Sequence, residues 1–165
     1  MLVRKLTEND LEAVWNLRLQ CVKEHPEVFS LTYEETLAQG KEPILRRLRQ
    51  KDTMFYLGAF EEQLIGMVRF AQEEGVKLRH QGLVASMYVL PEKRGHGIGT
   101  ALMQELIAQA KHFDGLEQIH LSVLTTNLAA RRLYESCGFK IYGTAPHVIK
   151  WAEQYLDEDL MMLYL

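Results

Sequence analysis

Residues 83–110 read LVASMYVLPEKRGHGIGTALMQELIAQA, and this stretch is the most informative about the fold. Its first eight residues form a largely apolar run that is typical of a buried strand, and Pro91 ends the run. From Ile98 onward the apolar residues recur at the helical period until the chain nears Gly115. The stretch therefore predicts a strand near the centre of a sheet, a glycine-rich turn and an amphipathic helix.

The turn between this strand and this helix has the composition of a phosphate cradle. Gly95, Gly97 and Gly99 lack a Cβ atom, so the backbone can bend tightly and approach a ligand. The first N–H groups of the helix have no partner within it and attract anions, and Arg94 adds a permanent cation. The alternative is a turn that only reverses the chain. The residues expected in the cradle are Arg94, Gly95, His96, Gly97, Ile98, Gly99 and Thr100.

Two other phosphate-binding sites share this order of strand, glycine turn and helix. A dinucleotide site needs GxGxxG in an early βαβ unit and an acidic residue about 20 residues further on, where only Glu117 occurs. A P-loop needs Gly-Lys followed by Ser or Thr, whereas this turn ends in Gly-Ile-Gly-Thr. Neither site fits the residues.

Strands and helices alternate on both sides of the central stretch. A helix is predicted to begin after Thr7 and to end at His25-Pro26, and residues 54–70 have the pattern of a β-hairpin. The other predicted elements are an opening strand at Leu2 to Leu6, a strand IHLSV, a helix from Asn127 to Ser136, a strand beginning at Phe139 and a final strand LMMLYL. This order indicates one α+β or α/β layered structure.

Length, charge and cysteine content exclude several classes of protein. The chain has 165 residues, about one domain, and its net charge of −3 provides no basic field that would hold nucleic acid. Cys21 and Cys137 have neither zinc-site spacing nor enough partners for a disulfide framework, which predicts no metal and a reduced cytoplasm. No stretch approaches the roughly 20 apolar residues of a membrane span, and the acidic Glu8, Asp10 and Glu12 interrupt any signal peptide. We therefore expect a cytoplasmic protein without membrane or nucleic-acid partners.

The glycine turn and a second segment together resemble a known family. RGHGIG at residues 94–99 is similar to the Arg/Gln-x-x-Gly-x-Gly/Ala pyrophosphate signature of the GCN5-related N-acetyltransferases (GNAT), and NLAARRLYESCGF at residues 127–139 continues the agreement. The resemblance implies an α+β fold layered α/β/α, with a mixed, mostly antiparallel sheet of six to seven strands. It also implies that residues 1–165 form a single N-acetyltransferase domain, and it favours a homodimer.

The ligand of that family is acetyl-CoA, so the resemblance implies acetyl-CoA as the cosubstrate of this chain. The backbone of the glycine turn would hold the pyrophosphate. The strand before the turn, including Met87, Tyr88 and Val89, would pair with the pantetheine arm. The N–H of Val89 would donate to the thioester carbonyl as negative charge develops there.

The second segment places a polar side chain at each end of one helix face. Asn127 and Tyr134 are seven residues apart, nearly two helical turns, which puts them on one face about 10 Å apart along the axis. Ala130 lies between them and leaves a shallow track for an extended ligand. The resemblance implies that Asn127 contacts CoA and that Tyr134 protonates the departing thiolate. The residues alone equally allow Asn127 to cap the helix and Tyr134 to pack on the sheet.

The expected activity is direct transfer of the acetyl group of acetyl-CoA to a primary amine of a small molecule or peptide in a ternary complex. Cys137 follows a helix, whose partial negative charge at that end raises the pKa of a thiol, so transfer through this cysteine is not expected. The candidate bases, none of which is assigned, are Glu24, Glu27, Glu34, Glu35, His80 and His147. The alternative function is a non-catalytic module that binds acetyl-CoA as a sensor or regulator.

Overall fold

The structure, a computed structural model, describes residues 1–50 and 52–165 and contains seven strands and five α-helices within these ranges. In chain order they are β1 (Leu2–Lys5), α1 (Leu11–Glu24), α2 (Tyr33–Gln39), α3 (Glu42–Arg49), β2 (Met54–Phe60), β3 (Leu64–Gln72), β4 (Gln81–Val89), α4 (Ile98–Ala110), β5 (Gln118–Leu124), α5 (Leu128–Ser136), β6 (Lys140–Trp151) and β7 (Gln154–Tyr164). The predicted helices and strands are confirmed. Every helix in the described ranges falls short of the length and apolar character needed to cross a bilayer.

The seven strands form one sheet in the order β1-β2-β3-β4-β5-β7-β6. β4 is the central strand, as predicted, and it pairs with β5 in parallel, whereas the other neighbouring pairs are antiparallel. This mixed, mostly antiparallel sheet confirms the expected α+β fold class. No sequence pattern predicts the insertion of β7 between β5 and β6, because periodicity shows which face a strand buries but not which strand it joins.

The sheet opens between β4 and β5. These two strands are paired only where residues 81–83 lie beside residues 118–120, although β4 continues to Val89 and β5 to Leu124. The pairing of β4 with β3 contains a β-bulge near Ser86, whose φ is +54°. A bulge bends its strand and increases the local twist, which fits the divergence of β4 from β5. The result is a gap in the middle of the sheet.

Helices cover both faces of the sheet. On one face Phe70 of β3 packs against Phe55 and Phe113, with ring centroids 5.3 and 5.1 Å away, and α4 packs over this face through the buried Leu102. On the other face α1 packs on β3. Successive residues of a strand point to opposite faces, so Arg69, the neighbour of Phe70, is on the α1 side of the sheet.

The connection from β1 to α1 is held by an ion pair. Arg4 Nη2 lies 2.7 Å from Asp10 Oδ1 and Arg4 Nη1 lies 2.9 Å from Asp10 Oδ2, while the Thr7 N–H donates to the same carboxylate at 2.8 Å. The hydrogen bonds from Arg4 are the largest cause that lowers the pKa of Asp10 to about 2. The Asp10 side chain is only 11% exposed, so this pair is shielded from solvent more than the Glu12–Lys41 pair of α1.

Asp10→Asn is therefore expected to lower the free energy of unfolding by about 1–2 kcal/mol at neutral pH. The pKa of Asp10 is depressed in the folded state, so the stabilisation is complete above the unfolded pKa of 3.8 and is lost as the pH falls toward about 2. Urea unfolding at several pH values measures this difference. Glu12→Gln is the control, because the Glu12–Lys41 pair is 69% and 40% exposed and is expected to contribute less than about 1 kcal/mol. A difference that stays constant down to pH 2 would contradict the assignment.

Candidate active site

A cleft of about 1190 Å³ occupies the gap between β4 and β5 and extends to the α1 side of the sheet. Its walls come from α1, α3, β3, β4, β5 and α5, together with the loop after α1 and the glycine turn. Binding pockets for small molecules typically have volumes of about 300–1,000 Å³, so this cleft has room for an extended cofactor and a second substrate.

The glycine turn lies at the end of the cleft where β4 ends. Gly95 and Gly97 have φ angles of +79° and +78°, a left-handed conformation that favours glycine, and a Cβ atom at either position would point into open space. Ala101 N–H donates to the Gly97 carbonyl at 2.9 Å and closes the first turn of α4. The N–H groups of residues 98–100 have no acceptor among the described residues. These N–H groups form a site for an anion.

Gly99, in the same turn, allows close packing of neighbouring elements. A Cβ atom at this position would lie 2.9 Å from Leu133 Cδ2 and 3.3 Å from Met87 Cε. The missing side chain thus allows α4 to approach α5 and β4 closely, which brings the turn and the α5 side of the cleft together.

The Arg94 side chain forms contacts at the end of β4. Its Nε donates to the Val89 carbonyl at 2.9 Å, its Nη2 donates to His25 Nε2 at 3.0 Å, and its guanidinium carbon lies 5.5 Å from the centre of the Tyr88 ring. His96 donates from Nδ1 to the Arg94 carbonyl at 2.9 Å and is the one predicted cradle residue that does not line the cleft. Two of the N–H groups of Arg94 are therefore already hydrogen-bonded within the protein.

The backbone N–H and C=O groups of successive β4 residues point alternately toward β3 and toward the cleft. Leu90 N–H donates to the Ile65 carbonyl of β3 at 2.9 Å, so the N–H and C=O of the preceding Val89 point away from β3 and toward the gap. The Val89 carbonyl is already taken by Arg94, whereas its N–H faces the gap. Tyr88 also lines the cleft, and its backbone faces β3.

A hydrogen-bonded group at the end of α1 adjoins this part of β4. The Tyr88 hydroxyl donates to Glu24 Oε2 at 2.6 Å, and this hydrogen bond is the largest cause that lowers the pKa of Glu24. His25 accepts from Arg94 at Nε2, and its Nδ1 lies 3.8 Å from Glu27 Oε1. In the sequence, His25 marks only the end of a helix. No local signal could have found its contact with Arg94, since the two residues are 69 positions apart.

Tyr134 lines the cleft from α5. The residue is only 7% exposed, and none of the side-chain hydrogen bonds found within residues 1–50 and 52–165 involves its hydroxyl. Its ring packs edge-on against Phe139 at 6.2 Å. Burial raises the pKa of Tyr134 above its ordinary value of 10, so the phenol keeps its proton at neutral pH.

Asn127 and Ala130 line the cleft with Tyr134, as the spacing predicted. Asn127 caps α5, because its Oδ1 accepts from the Ala130 N–H at 3.2 Å. The capping interpretation is thus confirmed, and the side-chain NH₂ of Asn127 remains available to a ligand. Met87 also lines the cleft from β4.

Most of the six candidate bases do not line the cleft. Of the six, Glu27 alone lines the cleft, while Glu35 belongs to the capping box of α2 and His147 stacks on Tyr155 at 4.6 Å. Glu158 of β7 is a further acidic residue on the cleft that sequence reasoning missed. It reaches the site because β7 pairs with β5, which the sequence does not show.

The sheet, its central gap and the glycine turn at the start of α4 define the architecture of an acetyltransferase, and comparison with known proteins agrees. Residues 12–139 match the family model described as "Acetyltransferase (GNAT) family". This match covers most of the chain, so the protein belongs to the GNAT family.

Individual relatives and structures show how far the likeness extends. The mycothiol acetyltransferase of Thermobispora bispora is 35% identical over 136 residues, which cover 79% of this chain but only 43% of that protein. The chain thus spans less than half the length of this relative. A GNAT-family acetyltransferase from Streptococcus pneumoniae has a TM-score of 0.87 at 25% identity, with 99% of both chains covered. The YncA structure from Salmonella typhimurium, which contains acetyl-CoA as its cofactor, shares the fold with a TM-score of 0.80 at 24% identity, covering 100% of this chain and 94% of that one.

Proposed function

We propose that this protein transfers the acetyl group of acetyl-CoA directly to a primary amine in a ternary complex. The observation that carries the proposal is the unpartnered, protonated hydroxyl of Tyr134 on a cleft whose other end offers unpaired helix N–H groups. These are the two groups that a phosphate-bearing thioester needs, an anion site and an acid for its sulfur. Acetyl-CoA bound to a structure of the same fold adds support.

The cofactor is proposed to lie along β4 and α5. Its pyrophosphate binds the turn formed by Arg94, Gly95, His96, Gly97, Ile98, Gly99 and Thr100, with the N–H groups of residues 98–100 as the main donors. Its pantetheine arm runs beside Met87, Tyr88 and Val89 and contacts Asn127 and Ala130 on the other side. The gap between β4 and β5 leaves the N–H of Val89 unpaired for such a ligand.

The proposed reaction has one tetrahedral intermediate. The neutral amine attacks the thioester carbon, and the Val89 N–H donates to the carbonyl oxygen as it becomes negative. The C–S bond then breaks, and the Tyr134 hydroxyl gives its proton to the departing sulfur. The nitrogen releases one proton, which restores the phenol through water in the cleft, so the products are the N-acetyl amine and CoA thiol.

Transfer through a cysteine is not part of the proposal. Burial is the largest cause that raises the pKa of the Cys137 thiol, and this residue does not line the cleft. Cys21 is buried, and burial raises the pKa of its thiol to about 11. A protonated thiol is a poor nucleophile, so both observations favour direct transfer.

We further propose the setting of this reaction. Residues 1–165 act as one acetyltransferase domain, the acceptor is an amine of a small molecule or a peptide, and the protein works as a homodimer in a reduced cytoplasm without nucleic acid, membrane or metal. The free, reduced state of Cys21 and Cys137 fits that compartment.

Acetyl-CoA is expected to raise the melting temperature by about 5–10 °C at 100 times its dissociation constant, because binding to the native state alone adds about 2.7 kcal/mol. NAD and ATP at the same concentration should have much smaller effects, since they lack the pantetheine arm. Differential scanning fluorimetry measures the shift, and a thiol reagent then measures CoA release with a panel of amines. Equal shifts from the three ligands would contradict the cofactor assignment, and binding without thiol release on any amine would favour a sensor.

A further inference from the structure

The part of the cleft on the α1 side is rich in arginine. Arg18 of α1, Arg47 of α3 and Arg69 of β3 line it together. In the whole cleft the cationic side chains are Arg18, Arg47, Arg69, Lys93 and Arg94, and the acidic ones are Glu27 and Glu158. The cleft is therefore basic in a protein whose net charge is −3.

Arg69 has a buried donor atom in this part of the cleft. Its register partners are Tyr56 on β2 and Ala85 on β4, so it stands in the middle of the sheet. Its Nε atom is buried and has no hydrogen-bond partner among the described residues. Burial is the largest cause that lowers the pKa of Arg69; the neighbouring Tyr56 raises it, and the positive charges of Arg47 and Arg18 lower it. A buried donor next to two like charges lacks an acceptor that an external anion would supply.

The described residues supply no acidic counter-ion to this cluster. Within residues 1–50 and 52–165, none of the three arginines forms a salt bridge with an acidic side chain. Other arginines of the chain are paired: Arg4 with Asp10, Arg49 with Glu8 and Arg131 with Asp159. The cluster thus differs from the arginines that stabilise the fold.

The cluster is also separate from the glycine turn. Arg69 pairs with Ala85, whereas the turn begins beyond Leu90, five residues further along the chain, a separation of up to about 16 Å in extended conformation. Arg69 lies on the α1 side of the sheet, and the turn leads into α4 on the other side. The phosphates of a cofactor bound at the turn are therefore distant from the arginines.

We propose that Arg18, Arg47 and Arg69 bind a carboxylate or phosphonate on the acceptor, so that the acceptor is a small anionic amine. This inference rests on the proposed acetyl transfer and narrows its acceptor. Planar guanidinium groups donate in pairs to the oxygens of such anions. Trp15, Phe29 and Ile44 line the same part of the cleft and offer apolar surface to the hydrocarbon portion of an amino acid. A peptide N-terminus or a polyamine has no anion in the corresponding place.

The test compares acceptors in matched pairs. Amino acids with increasing distance between amine and carboxylate are assayed against the corresponding carboxamides and aminophosphonates, with CoA release as the readout. We expect at least one anionic amine to exceed its carboxamide about 10- to 100-fold in kcat/KM, the usual effect of charge-assisted hydrogen bonds. The carboxylate and phosphonate series identify which anion the cluster prefers.

Arg47→Gln is expected to reduce the preference for the anionic acceptor about 10-fold or more through KM, because kcat/KM falls further for the anionic amine than for its carboxamide. The matched control is Arg46→Gln. It removes the same charge from the preceding residue of α3, which is exposed and does not line the cleft. Arg69→Gln should have a larger effect, but this residue is partly buried in the sheet, so Arg47→Gln decides the test if Arg69→Gln does not fold.

A second readout measures binding without turnover. In the presence of CoA, anionic amines should raise the melting temperature of wild type and Arg46→Gln more than that of Arg47→Gln. Equal kcat/KM for anionic amines and carboxamides, or no stabilisation by any anionic amine, would overturn this inference while leaving acetyl transfer intact. Absence of acetyl-CoA binding would instead reject the proposed function.

Discussion

Tyr134→Phe is expected to lower turnover about 100-fold while leaving acetyl-CoA affinity nearly unchanged. The substitution removes only the hydroxyl, which has no hydrogen-bond partner in the described residues, and keeps the ring that packs against Phe139. The free energy of unfolding should therefore change little. Steady-state thiol release with an accepted amine, together with a thermal shift by acetyl-CoA, measures both effects.

Tyr142→Phe is the matched control, because Tyr142 is 54% exposed on β6 and does not line the cleft. It should have the kinetics of wild type. A Tyr134→Phe variant with unchanged turnover would return Tyr134 to a packing role and leave solvent as the proton source.

The pH dependence of the same variant gives a second measurement. Burial raises the pKa of Tyr134 above its ordinary value of 10, so the acid form persists to higher pH than that of a free phenol. The ratio of wild-type to variant turnover should therefore stay constant between about pH 7 and pH 9.5. A ratio that collapses near pH 8 would indicate that a different group is the acid.

Gly97→Val is expected to weaken acetyl-CoA binding about 10- to 100-fold, because a side chain at this position obstructs the anion site of the turn. The φ of Gly97 is +78°, and a Cβ atom there would meet nothing within 4 Å, so the side chain would occupy the space where the pyrophosphate is proposed to bind. The left-handed backbone also strains a β-branched residue by roughly 1–2 kcal/mol. Isothermal titration measures the affinity, and urea unfolding measures the strain.

The strain is separated from the loss of binding by Gly75→Val. Gly75 has a φ of +92° and open space around its Cβ position, but it lies away from the cleft. This control should lose similar stability and bind acetyl-CoA like wild type. Equal affinity of the two variants would locate the pyrophosphate site outside the glycine turn.

Local sequence patterns predicted the parts of the site that lie close together in the chain. The apolar run before Pro91, the glycines of the turn and the helical period after Ile98 identified β4, the turn and α4. The spacing of Asn127 and Tyr134 put both on the cleft side of α5. These features depend on residues within one or two turns of each other, so periodicity and turn chemistry are sufficient to reveal them.

The sequence by itself thus determined the succession of elements, the α+β class and the glycine turn. Three other features depend on tertiary contacts. They are the point at which β4 diverges from β5, the exposure of the Val89 N–H to the gap, and the hydrogen bonds from Arg94 to Val89 and His25. The tertiary structure also brought Arg18, Arg47 and Arg69 from three separate elements to one cleft. The physical reason is that strand order and the packing of α1 and α3 on the sheet arise from burial of apolar surface between distant segments. No spacing within a single segment encodes such contacts.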